Sequence, residues 1–258
     1  MARLDDGVLA ALLLTSPLAG DGPPPLKARE FWALVDEVGD LTPLLAEVPA
    51  DRPDADRLRA LLGRATTFAF AVEDAERQGI TLLSALDPRY PTRLRTGMGT
   101  QAPPVLHTVG PLALLDEPAV AIVAASAADG GATEDPVVVD AARAAATEAV
   151  ADGRVVLTAG FASALDAAAT TAAIDAGGAV VGLLSHPLIT HLHTPEVRRA
   201  VHGGRLCLVT PFRPNAPWSP VAEAGRAAVA AALAERTVTV STRAPTLLDD
   251  VATEDAPP

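Results

Sequence analysis

Five residues of this sequence are candidates for binding chemistry: Ser126, Gly160, Ser163, Asp166 and Arg226. Gly160 and Asp166 flank the predicted start of a helix that follows a strand. Such a helix start has free backbone N–H groups and the positive end of the helix dipole, which together favour an anion such as a phosphate. The alternative is a tight turn at Gly160, with Asp166 placed favourably in the first helical turn. The sequence leaves both interpretations open.

Arg226 lies near the start of a predicted helix that is rich in alanine. A cation at that end opposes the helix dipole, which favours a binding role over a plain surface position. We therefore expect any ligand to touch the loop face formed by the five candidates. Arg226 should contribute most, because a hydrogen bond to a charged group contributes about 1.5–3 kcal/mol.

Hydrolytic and nucleotide-dependent chemistry are not predicted. Ser126 and Ser163 do not stand in a G-x-S-x-G motif, and the sequence places no base beside either hydroxyl. Neither G-x-G-x-x-G nor a Walker loop is present, so no cofactor is indicated. The chain is not predicted to be an enzyme.

Histidines are concentrated in one segment, since four of the five fall between His186 and His202. His191 and His193 present the residue types of a zinc site, which His186 or Glu196 would complete. The favoured interpretation is a polar loop whose histidines contact the backbone, because real sites need supporting hydrogen-bond partners. No metal is predicted.

The charge balance limits the partners. Lys and Arg number 20 against 32 Asp and Glu, which gives a net charge of −12. A surface that is positive all over, as nucleic acid or an anionic membrane would require, is excluded, whereas a local basic patch is allowed. Aromatic residues make up only 3%, which argues against an aromatic stacking surface for single strands.

A second basic candidate lies near the N-terminus and consists of four arginines: Arg52, Arg57, Arg59 and Arg64. Aspartates at 51, 54 and 56 are interspersed with them. This mixture favours a solvated helix face over a nucleic-acid contact.

The redox and membrane signals indicate a cytoplasmic protein. Cys207 is the single cysteine, so a disulfide framework is excluded. The apolar run Val8–Leu14 is about a third of the roughly 20 residues that a membrane helix needs. Asp5 and Asp6 stand where a signal peptide requires positive charge, so a first helix of the fold is favoured.

The periodicity of apolar residues predicts an α/β fold. Residues 1–78 have helical spacing and predict a helical N-terminal domain. From residue 79, short apolar runs alternate with helical segments, which predicts a doubly wound parallel sheet over 79–243. Its core strands should include Val120–Val123, Val155–Thr158, Ala179–Leu184, Leu206–Val209 and Val238–Val240, with Cys207 buried among them. Residues 244–258 form an acidic tail that we expect to be disordered.

Ligands of such sheets bind beyond the carboxyl ends of the strands. Four loops are therefore the places where function is expected: 124–136, 159–164, 185–194 and 210–220.

Several different short motifs follow one another along the chain in a specific order. Residues 79–83 read G-I-T-L-L, and residues 87–91 read D-P-R-Y-P. A-P-P-V-L at 102–106 precedes Gly110, A-G-F-A-S-A-L-D-A-A occupies 159–168, and R-L-C-L-V-T-P-F-R-P occupies 205–214. In order and spacing these segments resemble the motifs of the DNA-processing protein A family, DprA or Smf. The resemblance covers roughly residues 5–243.

The resemblance implies a function as well as a fold. It implies a helical, SAM-like N-terminal domain followed by an extended Rossmann-like core. Members of that family bind single-stranded DNA, load a recombinase onto it and protect incoming DNA during transformation. A single-stranded DNA partner, a recombinase-type protein partner and a homodimer are thus expectations from the resemblance, and no membrane partner is expected.

The loops also depart from the family pattern. Residues 124–126 read A-A-S where the family has Gly-Ser-Arg, and Ser163 and Ala164 replace a basic residue and a glycine. Arg226 is retained but is followed by alanine instead of asparagine. With fewer cations to neutralise phosphates, we expect a dissociation constant no tighter than roughly 10⁻⁴–10⁻⁶ M at physiological salt. The alternatives are a Rossmann-type binder of a small nucleotide-like ligand and a degenerate paralogue that acts as a protein-interaction scaffold.

Overall fold

The computed structural model describes residues 5–18, 22–125 and 132–242 of the chain. Ser126 and the predicted tail 244–258 lie outside these ranges. The chain divides into two compact units. Unit 1 comprises Met1–Asp116 and Leu183–Leu233, and unit 2 comprises Glu117–Gly182 and Ala234–Pro258. The helical boundary predicted at residue 78 stays a prediction.

Unit 1 begins with five helices: α1 (Asp6–Thr15), α2 (Ala28–Val38), α3 (Pro43–Ala46), α4 (Ala55–Leu62) and α5 (Ala65–Arg77). Helix α1 starts where the Asp5 side chain accepts a hydrogen bond from the Gly7 N–H, at 2.9 Å. Nearly every residue of α1 is buried, as its all-round apolar sequence requires. Helix α2 buries Phe31, Trp32 and Leu34.

The remaining elements of unit 1 are β1 (Thr81–Ser84), α6 (Thr92–Met98), β2 (Val105–Val109), α9 (Pro195–His202), β6 (Leu206–Thr210) and α10 (Pro220–Leu233). Strand β2 lies between β1 and β6 and pairs antiparallel with both. All five residues of β2 and of β6 are buried, so this part of the sheet is covered on both faces.

Unit 2 contains β3 (Ala119–Ala124), α7 (Pro136–Ala151), β4 (Val155–Thr158), α8 (Ala164–Asp175), β5 (Val180–Leu183, whose last residue is assigned to unit 1) and β7 (Arg236–Val240). The β3–β4, β3–β7 and β4–β5 pairs are all parallel. Helix α7 buries only small or β-branched side chains, including Ala142 and Ala146, which lets it pack closely.

The α/β fold class with a mostly parallel sheet is confirmed. The four predicted core strands that lie in unit 2 pair only in parallel within the described residues. Cys207 lies in β6 and is fully buried. Burial raises the pKa of its thiol to about 12, because the thiolate would lose its hydration. Among the described helices, none combines the length and the apolar character that crossing a membrane would require.

Candidate nucleic-acid interface

The loop after β4 in unit 2 makes a sharp turn at Gly160. This glycine has φ +72°, a value that residues with a side chain rarely adopt. Its N–H donates to Thr158 Oγ1 at 3.0 Å, and its carbonyl accepts from Thr170 Oγ1 at 2.9 Å. Gly160 therefore fixes the path of the chain from β4 into α8.

Ser163 and Asp166 cap the start of α8 reciprocally. The Ser163 Oγ accepts from the Asp166 N–H at 3.2 Å and donates to Asp166 Oδ2 at 2.6 Å. The buried Asp166 carboxylate also accepts from the Ala159 N–H at 2.9 Å. These bonds tie the strand end to the helix and account for both side chains structurally. A ligand role for Gly160, Ser163 and Asp166 stays a prediction.

The first N–H groups of α8 already have partners. The Ala164 N–H donates to the Glu134 carboxylate at 3.0 Å, and the Leu165 N–H donates to the Thr133 carbonyl at 3.0 Å. A carboxylate at this position is stabilised by the helix dipole in the way a bound anion would be. An incoming phosphate would therefore have to displace Glu134, a residue that no sequence motif marked.

In unit 1, Arg226 is held by an acidic residue of its own helix. Its Nε and Nη2 donate to Glu223 Oε1 at 2.9 and 2.5 Å. The Arg226 side chain is only 11% exposed, against 38% for Glu223. The one cation retained at a family position is therefore largely covered and locally neutralised. Its binding role stays a prediction.

Glu223 is linked in turn to the loop after β5. Its Oε2 accepts from the hydroxyl of buried Ser185 at 2.6 Å. Burial by itself would raise the pKa of Glu223, but the hydrogen bonds from Arg226 and Ser185 outweigh it. The pKa therefore lies below its ordinary value. Ser185, Glu223 and Arg226 form one polar chain joining α10 to this loop.

The loops after β5 and β6 also bring two rings together. His186 and Trp218 stack with ring centroids 6.4 Å apart and ring planes at 29°. Trp218 is 51% exposed. The sequence analysis did not identify this pair, because the aromatic content does not show where an individual tryptophan lies.

The four N-terminal arginines have partners inside unit 1. Arg52, Arg57 and Arg59 pair with Glu37, Glu30 and Asp56 respectively. Arg64 donates to the carbonyls of Leu13 and Ser16 at the end of α1, and burial lowers its pKa. These contacts support the structural interpretation of this arginine face. Within the described residues, no group of three histidine, cysteine or acidic side chains has an arrangement that could hold a metal.

A comparison with known protein families identifies the family of the chain. The family model for DNA recombination-mediator protein A matches residues 81–245. The chain belongs to this family. Membership makes it a DNA-processing accessory protein and confirms the resemblance that the ordered motifs indicated. No curated protein matches the chain.

Two solved structures are similar to the DprA-family chain. The X-ray structure of DNA processing protein A from Streptococcus pneumoniae has a TM-score of 0.61 at 16% identity. The match covers 92% of this chain and 78% of that one. DNA processing protein A from Helicobacter pylori, described for its single-stranded DNA binding mode, has a TM-score of 0.46 at 17% identity. That match covers 62% of this chain and 68% of that one. The first likeness shows that the fold is shared.

The substitution Arg226→Ala should lower the thermal midpoint. It removes the charged partner of the half-buried Glu223 carboxylate and leaves the Ser185 hydroxyl to stabilise it, at a cost of about 1 kcal/mol, or roughly 2–4 °C. Differential scanning calorimetry measures this shift. Arg143→Ala is the matched control, because Arg143 pairs with Asp140 at the same spacing but is 56% exposed, so its loss should cost less. An unchanged midpoint together with a tenfold weaker affinity for an oligonucleotide would instead make Arg226 a binding residue.

Proposed function

We propose that this DprA-family chain binds single-stranded DNA weakly, without catalysis, and presents it to a recombinase-type partner. Family membership supports the DNA-processing role. Weak binding is supported by the hydrogen bond that the Glu134 carboxylate accepts from the first N–H of α8. This carboxylate occupies an anion position with a fixed negative charge, so every phosphate that approaches meets repulsion there.

The replacement or pairing of the loop cations supports the same proposal. The family's arginine of the first loop is replaced by Ser126, and Arg226 is paired with Glu223. Non-specific affinity for DNA grows with the number of phosphates that a protein neutralises. The DNA affinity of a family member with these replacements should therefore change only a little with salt concentration.

The geometry around Ser185 supports a function without hydrolysis. Ser185, His186 and Glu223 are the residue types of a catalytic triad, but their order in space differs. The Ser185 hydroxyl donates directly to the Glu223 carboxylate at 2.6 Å. His186 Nδ1 lies 3.4 Å from the same hydroxyl. In a triad the histidine stands between the serine and the carboxylate. Ser185 is also buried, so a substrate has little access to it.

A titration with a fluorescent single-stranded oligonucleotide at two salt concentrations tests the proposal. At physiological salt we expect a dissociation constant no tighter than roughly 10⁻⁴–10⁻⁶ M. Nanomolar binding at that salt would contradict weak binding. Absence of binding at low salt would contradict the DNA-binding role and favour the scaffold or small-ligand alternatives.

Glu134→Ala should strengthen the binding of single-stranded DNA by about 3- to 10-fold. The change removes a negative charge and frees the Ala164 N–H, which together are worth about 0.7–1.4 kcal/mol at an exposed helix start. Glu148→Ala is the matched control, since it removes an exposed glutamate from α7 in the same unit. Equal effects of the two variants would show that only net charge matters and that Glu134 does not occupy the anion position.

A further inference from the structure

Trp218, the exposed ring of the pair with His186, lies in a segment of unit 1 whose backbone is restricted by two prolines. Residues 217–220 read P-W-S-P, so a proline stands on each side of Trp218 and Ser219. The Ser219 hydroxyl accepts from the Ala222 N–H at 3.1 Å and fixes the start of α10. Proline restricts the backbone on both sides, so the exposed ring loses little freedom when a ligand covers it.

The chain around this pair is basic although the protein is acidic. Residues 185–222 contain four arginines, four histidines and one glutamate, which gives a formal charge of +3 against −12 for the whole chain. The arginines Arg198, Arg199, Arg205 and Arg213 are all exposed. The loop that carries Trp218 also carries Arg213. An exposed aromatic ring therefore occurs in a stretch of unit 1 that has a net positive charge.

An exposed ring in a positively charged stretch of the chain fits one partner chemistry best. Nucleobases stack on aromatic side chains, and the phosphates between them are attracted to arginine. An apolar protein partner would use the ring but would gain nothing from the positive charge of this stretch. Duplex DNA offers phosphates but keeps its base faces stacked inside.

We propose that the Trp218–His186 pair is a stacking platform for a base of single-stranded DNA. The proposal rests on the proposed function and names the place on unit 1 where the strand docks. It assigns the contact to residues outside the five candidates derived from the sequence. Stacking of one base contributes about 1–3 kcal/mol, so Trp218→Ala should weaken binding by about 5- to 150-fold.

The test uses the full chain, an oligothymidylate of about 20 nucleotides and an abasic oligomer of the same length, at low salt. Binding of oligothymidylate should quench the emission of Trp218 in the wild type, while Trp32 stays unaffected because it is only 4% exposed. Trp218→Phe should keep part of the affinity that Trp218→Ala loses. Phe70→Ala is the matched control, since Phe70 is a 65% exposed ring on α5. Trp218→Ala should not change binding of the abasic oligomer.

The outcomes separate the two proposals. Wild-type binding that Trp218→Ala leaves unchanged would overturn the stacking platform and leave the DNA-binding function intact. An equal loss on the abasic oligomer would also overturn stacking, because no base is present there. Absence of wild-type binding to either oligomer at low salt would overturn both. Equal thermal midpoints of wild type and Trp218→Ala, expected for an exposed side chain, exclude misfolding as the cause of a loss.

Discussion

Gly110→Ala is expected to lower the free energy of unfolding by roughly 2–6 kcal/mol, the largest effect of any single change considered for this protein. Gly110 follows β2 with φ +111°, and a Cβ placed there would lie 2.3 Å from the Leu206 carbonyl oxygen. That oxygen belongs to the backbone of β6, so it cannot move aside as a flexible side chain would. The sheet must shift or the turn must open.

Thermal or denaturant unfolding measures the effect, which should appear as a midpoint lowered by roughly 4–24 °C. Gly204→Ala is the matched control, because Gly204 has φ +72° but a Cβ placed there would meet nothing within 4 Å. That variant should lose only the conformational term of about 1–2 kcal/mol. If both variants lost the same amount, the close approach of Gly110 to Leu206 would not be the cause.

Acidification should destabilise the protein through His107. This histidine lies at the centre of β2, and burial lowers its pKa to about 4, because the charged ring would lose its hydration. Neither ring nitrogen makes a hydrogen bond of ordinary geometry within the described structure, and the backbone of Thr210 and Phe212 offsets the burial only in part. Between pH 6.5 and 4 the unfolded chain takes up a proton that the folded chain does not. Stability is therefore lost as the pH falls through this window, by up to about 3 kcal/mol.

His107→Phe tests this prediction. Phenylalanine keeps a ring of similar size and cannot titrate. Denaturant unfolding at pH 7 and pH 4.5 should show a smaller acid loss for the variant than for the wild type. Carboxylates with a lowered pKa, such as Asp87 and Glu223, contribute to acid loss in both proteins and cancel in the comparison. His193→Gln, at an exposed position, should retain the wild-type profile. A wild-type profile in His107→Phe would contradict the assignment.

A contact between residues that are close in the sequence can be predicted from the sequence, whereas a contact between distant residues cannot. Glu223 and Arg226 are three residues apart on one helix, a spacing at which side chains meet, so their pairing was readable from the sequence. The prediction of a binding role for Arg226 rested on the helix dipole and did not use this neighbour. Glu134 and Ala164 are 30 residues apart, and Ser185 and Glu223 are 38 apart. No local periodicity relates such pairs.

The sequence by itself determined the α/β class, the core strands and the family. A continuous apolar run can bury both faces of a strand, and an all-round apolar helix must be buried, so β3, β6 and α1 follow from local composition. Only the tertiary structure decided how the loops use their polar groups. A hydrogen bond needs its two atoms within about 3 Å, and chain connections that bring distant residues to that distance are set by the packing of whole elements. The carboxylate at the start of α8 and the ring pair of His186 and Trp218 arise in this way.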